Sequence, residues 1–135
     1  MTVLQFAFGS GPENLYLPHN LSRDTVVYTG THDNDTTVGW YTSADEKTRD
    51  HVRSYLRVSG DDIAWDLMRS AWAATGTTAI VPAQDLLSLP SECRMNVPGA
   101  AQGNWGWRME PGALTSDIAH RLRELTGLYG RLGRW

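Results

Sequence analysis

Three short strand-like segments, at residues 3–8, 24–31 and 77–81, are separated by very different kinds of sequence. Val3-Leu4-Gln5-Phe6-Ala7-Phe8 is an apolar run stopped by Gly9-Ser10-Gly11-Pro12, the composition of a buried strand. A polar, turn-rich stretch from Pro12 to Asn20 follows. Asp24 to Thr31 is then β-branched and aromatic, which predicts a second strand. Thr77-Thr78-Ala79-Ile80-Val81, ended by Pro82, predicts a third. Helix-patterned sequence lies between the second and third segments and again after the third. Strands alternating with helices predict a parallel sheet, because parallel neighbours need a long crossover between them.

A complete (β/α)8 barrel takes about 250 residues, and this chain has 135. A buried strand needs neighbours on both sides, so the first segment is expected either to take an edge place or to follow further chain. The fold expected is therefore α/β, with residues 1–135 as a single partial unit. It would supply about the last three strands of a parallel (β/α)8 barrel.

The helical stretches carry their own signals. Ser43 and Glu46 have capping-box spacing, which predicts a helix starting near Ser43, with Arg49, Arg53 and Arg57 recurring along one face. Residues 60–75 predict a second helix. Its stripe of Ile63, Leu67, Ala71 and Ala74 is flanked by Trp65, Met68 and Trp72, so it should be buried on more than one side, with Gly76 as C-terminal cap. Gln84 to Leu89 reads as a short helix, and Pro90 to Arg108 as a long ordered loop. Thr115 or Ser116 opens a last helix carrying Ile118, Leu122, Leu125, Tyr129 and Leu132, with its arginines on a solvated face. Gly133-Arg134-Trp135 reads as its run-out and the natural end of the chain.

Composition narrows the function. A net charge of −3 gives no field suited to nucleic acid or an anionic membrane. No apolar run is long enough to span a bilayer, and no secretory signal is evident. The single cysteine, Cys93, fits a reducing compartment and predicts a cytoplasmic protein with an inert thiol. Six tryptophans are many for this length. They serve either as core and rim packing or as flat surfaces for sugar rings.

The residues with most chemical promise follow the second strand, in Thr31-His32-Asp33-Asn34-Asp35. In a parallel barrel the site is built at the C-terminal ends of the strands. A carboxylate there can stabilise positive charge on a reacting sugar or bind its hydroxyls. An Asx turn or a helix cap explains Asp33 and Asp35 equally well. A calcium loop does not fit, because the positions that need glycine and glutamate hold Val38 and Ala44. No metal and no cofactor is expected.

Taken together, the motifs resemble a known family. Val3 to Phe8, Leu17-Pro18-His19-Asn20, Val27 to Trp40, Val81-Pro82-Ala83-Gln84-Asp85-Leu86-Leu87, Arg94-Met95-Asn96-Val97-Pro98-Gly99 and Gly103-Asn104-Trp105-Gly106-Trp107-Arg108 occur in the order found in the 4-α-glucanotransferases. This family, glycoside hydrolase family 77, is also called amylomaltase or disproportionating enzyme. The resemblance implies a (β/α)8 barrel, of which these would be the sixth, seventh and eighth strands. It implies retaining transfer of α-1,4-glucan segments between maltooligosaccharides. Asp33 falls on the aspartate that stabilises the transition state, His32 on a substrate-binding histidine, and Asn96 in a loop bordering the glucan groove. The family's nucleophile and acid/base glutamate lie upstream of Val3, and the Glu-Asp-Leu-Gly motif is absent. The expected ligand is an α-1,4-glucan or maltooligosaccharide, and the expected partner is the missing N-terminal barrel half. The chain alone is expected to be inactive. A non-catalytic glucan-binding module and a half-barrel completed by another chain remain as alternatives.

Overall fold

A computed structural model describes residues 1–133. Three parallel strands, β1 (Thr2–Val3), β2 (Val26–Tyr28) and β3 (Thr78–Ile80), lie in sequential order. Thr2 is level with Val27, and Val27 with Ala79, so all three strands end together on one side. The crossover from β2 to β3 carries helices α1 (Thr37–Ser43), α2 (Glu46–Leu56) and α3 (Ile63–Ala73). After β3 come the short α4 (Ala83–Leu86) and the last helix, α5 (Ser116–Leu128).

The core lies between the sheet and α3. Val27, Leu67, Met68 and Ala71 are fully buried, with Val52 of α2 and Leu125 of α5 closing the sides. All seven apolar positions foreseen along α3 are buried, Trp65 and Trp72 included. This helix meets β3, α1, α2, α4 and α5, so a one-sided stripe would not serve it. The Trp72 indole N–H donates to Thr126 Oγ1 at 3.0 Å, giving the buried ring its polar partner.

Several expectations are corrected. The run from Val3 to Phe8 is strand only through Val3; Leu4–Phe6 turn into a 3₁₀ helix. Leu4, Ala7 and Phe8 are buried while Phe6 is exposed, so the run's hydrophobicity serves a turning segment. No helix starts at Ser43: Ser43 ends α1, whose N-cap is Thr36, and α2 is capped by Asp45 accepting from the Thr48 N–H at 2.8 Å. Gly76 does not cap α3, which ends at Ala73 with Ala74 extended. A Cβ on Gly76 would stand 2.6 Å from the Thr25 carbonyl oxygen, so glycine is needed there for close approach to the strand.

The arginines near the C-terminal end are not all solvated. Arg121 lies over the Trp65 ring at 4.0 Å and pairs with Asp62. Arg131 donates to the carbonyls of Trp72, Ala74 and Gly76, closing the end of α3. The last helix begins as expected, with Thr115 Oγ1 accepting from the Ile118 N–H. Its Ile118, Leu122, Leu125 and Tyr129 join the core, whereas Leu132 is exposed. Arg134 and Trp135 lie outside the described residues.

The helices cover one face of the sheet. On the other face Tyr28 is half-buried and Ile80 is 41% exposed. That open face, together with the loops following the strands, forms a cleft.

Candidate functional site

The loop from Gly30 to Thr36 leaves the C-terminal end of β2 and carries both His32 and Asp33. It is fastened at each end. At its start, Asn34 Oδ1 accepts from the Thr31 N–H at 2.9 Å and from the Thr31 hydroxyl at 2.8 Å, closing a tight turn. At its end, Thr36 caps α1 by accepting from the Gly39 N–H at 3.0 Å. The turn and the cap therefore fall to Asn34 and Thr36, and neither falls to Asp33.

Asp85 of α4 joins the two ends from below. Its Oδ2 accepts from the hydroxyls of Thr29 and Thr37, and its Oδ1 from the Thr37 N–H, all at 2.7 Å. Thr29 and Thr37 are fully buried and Asp85 is 1% exposed. Burial pushes the Asp85 carboxyl above the usual carboxylate range, and the three donors pull it partway back. The Thr37 N–H is one of the donors that the first turn of a helix leaves unpaired, so Asp85 also completes the start of α1.

Asp35 serves structure as well. Its Oδ2 accepts from Ser91 Oγ at 2.6 Å and its Oδ1 from the Thr36 N–H at 2.7 Å. Gln5 reaches under the loop to donate to the Asp35 carbonyl at 3.0 Å.

Asp33 differs from its neighbours. Its side chain is about half exposed and points to the cleft, where Oδ1 accepts from Asn96 Nδ2 at 2.7 Å. His32 Nε2 lies 3.3 Å from the same oxygen. The long loop after α4 brings Asn96 here, and Arg94 holds it in place. Arg94 donates through Nη2 to the Asp33 carbonyl and through Nε to the Asn96 carbonyl, each at 2.7 Å. The structure thus brings together His32, Asp33 and Asn96, the three site residues expected from the sequence.

The cleft has a volume of about 470 Å³. One wall is polar, formed by residues 30–36 and Arg94; Ile80, Val81, Pro82 and Met95 are apolar; Trp105 stands against His32 at a ring separation of 5.1 Å. Among the described residues that line it, only Asp33 and Asp35 are acidic. Both oxygens of Asp35 are taken, by Ser91 and the Thr36 N–H, whereas Asp33 is held through Oδ1 alone and stays half exposed to the cleft. Such a site can offer one anionic oxygen, fixed in direction by an amide, to a positive or hydroxylated group.

Asp85, Ser91, Arg94 and Trp105 were not foreseen as parts of the site. Asp85 and Arg94 lay within recognisable motifs, but nothing local to either says that it reaches the β2 loop.

Residues 1–115 match the family model described as 4-alpha-glucanotransferase. The chain is 47% identical over 136 residues to the chloroplastic/amyloplastic 4-alpha-glucanotransferase of Arabidopsis thaliana, covering 98% of this chain and 24% of that protein. It is 50% identical over 133 residues to the 4-alpha-glucanotransferase of a Synechocystis species, covering 97% and 26%. Among solved structures, an amylomaltase from Streptococcus agalactiae in complex with acarbose superposes with a TM-score of 0.94 at 32% identity, over 98% of this chain and 27% of that one. The chain spans about a quarter of the length of the curated relatives it matches. The α/β arrangement of three parallel strands corresponds to part of the amylomaltase fold.

Proposed function

The chain belongs to the 4-alpha-glucanotransferase family, and we propose that it is the part of such an enzyme that presents Asp33 to an α-1,4-glucan. Asp33 stabilises positive charge on the reacting sugar ring, while His32 and Asn96 bind its hydroxyls. The observation that carries this reading is the setting of Asp33. Among the described residues it is the one cleft carboxylate not engaged in turn, cap or clasp, and it is oriented by Asn96 at the C-terminal ends of parallel strands. The three strands are assigned as the sixth, seventh and eighth of a (β/α)8 barrel, with residues 1–135 as one unit of it. A cytoplasmic location is part of the same proposal, supported by the single cysteine, Cys93, which fits a reducing compartment.

Retaining transfer needs two carboxylates flanking the scissile bond, one to attack and one to protonate. Asp35 is held by Ser91 and Asp85 is sealed beneath the loop, so neither takes those roles. Both are assigned to the remaining strands, supplied by further polypeptide or by a second chain. The uncovered inner face of the sheet at Tyr28 and Ile80 supports that need. No helix among the described residues is long and apolar enough to cross a membrane.

The test is incubation of the purified chain with maltotriose, followed by product analysis and by binding titration. The expected outcome is binding at millimolar maltooligosaccharide, with neither longer nor shorter products formed. Robust disproportionation would overturn the division of catalytic roles, and absence of millimolar binding would overturn the glucan site.

A further inference from the structure

Trp105 is the feature of the cleft that packing does not explain. It is 61% exposed, the most exposed of the tryptophans among the described residues, while Trp65 and Trp72 are buried. Its backbone is left-handed, with φ of 62°. For a bulky residue that conformation is strained, and it persists only where the surroundings impose it. Here they do. The Trp105 N–H donates to the Met95 carbonyl at 2.8 Å. The preceding residue, Asn104, accepts from the Val97 N–H at 2.9 Å and donates to the Ala100 carbonyl at 2.9 Å. The loop is thus tied back on itself at its root, and the strained residue at the tie is an exposed aromatic.

The direction of the ring matters. It rests on His32 at 5.1 Å between centroids, tilted by 42°. His32 in turn lies beside Asp33. An apolar plate therefore stands next to a group of hydrogen-bonding side chains that includes Asp33, Asn96 and Arg94. Pyranose rings have this same division, with C–H bonds on their faces and hydroxyls at their edges. A flat ring meets the face while carboxylate and amide groups meet the edge.

We propose that Trp105 is a stacking platform for one glucose ring of the glucan, set beside the position served by Asp33, and that it also holds the His32 ring in place. This rests on the reading of the cleft as a glucan site and adds a binding residue to it.

The test uses the full chain and maltoheptaose, followed by NMR. The Trp105 indole N–H resonance is identified by its loss in Trp105→Tyr, and the backbone amides of His32 and Asp33 report on the rest of the cleft. Two variants separate ring from backbone: Trp105→Asn removes the plate but tolerates the left-handed conformation, and Trp105→Tyr keeps a flat ring. The Trp105 indole and the Asp33 amide are expected to shift along one binding curve. Trp105→Asn should weaken binding about tenfold, and Trp105→Tyr by no more than about threefold. If the His32 and Asp33 amides respond while the Trp105 indole stays silent, or if Trp105→Asn binds as tightly as the parent, the platform is refuted and the glucan cleft stands. If no cleft residue responds, the glucan reading fails and the platform falls with it.

Discussion

Replacing Asp85 by alanine should be among the most damaging single changes near the cleft, although this carboxylate is sealed beneath the loop and does not line the cleft. The substitution removes the acceptor for three donors at once: the hydroxyls of Thr29 and Thr37 and the Thr37 N–H. All three are sealed from water, since Thr29 and Thr37 are both 0% exposed. A buried donor left without a partner costs about 1–3 kcal/mol. The two hydroxyls can rotate toward other acceptors, whereas the helix N–H cannot. Against this, alanine relieves the cost of burying a carboxylate, which is felt in its raised pKa. The balance gives a loss of about 3 kcal/mol, or a fall of roughly 10 °C in Tm for a chain of this size. Asparagine is the informative comparison. Its oxygen can keep the Thr37 N–H, and its amino group can donate to both hydroxyls, so the loss should be no more than about 1 kcal/mol. Urea unfolding, followed by tryptophan fluorescence and far-ultraviolet circular dichroism, measures both. A loss below about 1 kcal/mol in Asp85→Ala would refute the clasp as a source of stability.

Two further outcomes follow from the same region. The Asp85 carboxyl is raised by burial, so the folded chain takes up its proton at a higher pH than the unfolded chain does. Its contribution is therefore fully present below the ordinary carboxylate value of 3.8 and is lost as pH rises through the raised value. The stability of the parent relative to Asp85→Asn should accordingly grow as pH falls toward that range, read from urea midpoints of the two proteins. Gly39 lies inside α1, where alanine alone would gain about 1 kcal/mol of helix propensity. Its Cβ, however, would stand 2.1 Å from Ser91 Oγ and 2.7 Å from the Asp35 carboxylate oxygens, so the Ser91–Asp35 bond must open. Gly39→Ala should be destabilising by about 1–2 kcal/mol, and a stabilised variant in thermal melts would show that the loop yields freely.

Much of the fold is set by local pattern. The apolar period of α3, the Thr115 cap of α5 and the positions of β2 and β3 are properties of contiguous residues, and each is seen where the pattern places it. The order of these elements was enough to predict a parallel sheet. Asp33 also stood out by position, though nothing local separated a cap from a chemical group. The elements that misled are those with two compatible local readings. Val3 to Phe8 suits a strand or a buried turn equally well, and only packing chose. Ser43 and Asp45 can each begin a helix, and because α1, started by the Thr36 cap, takes in Ser43 as its last residue, the next start falls to Asp45.

What the tertiary structure alone decided is the company each site residue keeps. Asn96 meets Asp33 across 63 residues of chain, Asp85 meets Thr29 across 56, and the Trp105 loop returns to His32. Hydrophobic period and caps reach only a few residues along a chain, so they determine where a loop begins and ends. Where a loop returns depends on how the whole chain closes over its core. That closure made Asp33, among the described residues, the one cleft carboxylate that serves no turn, cap or clasp.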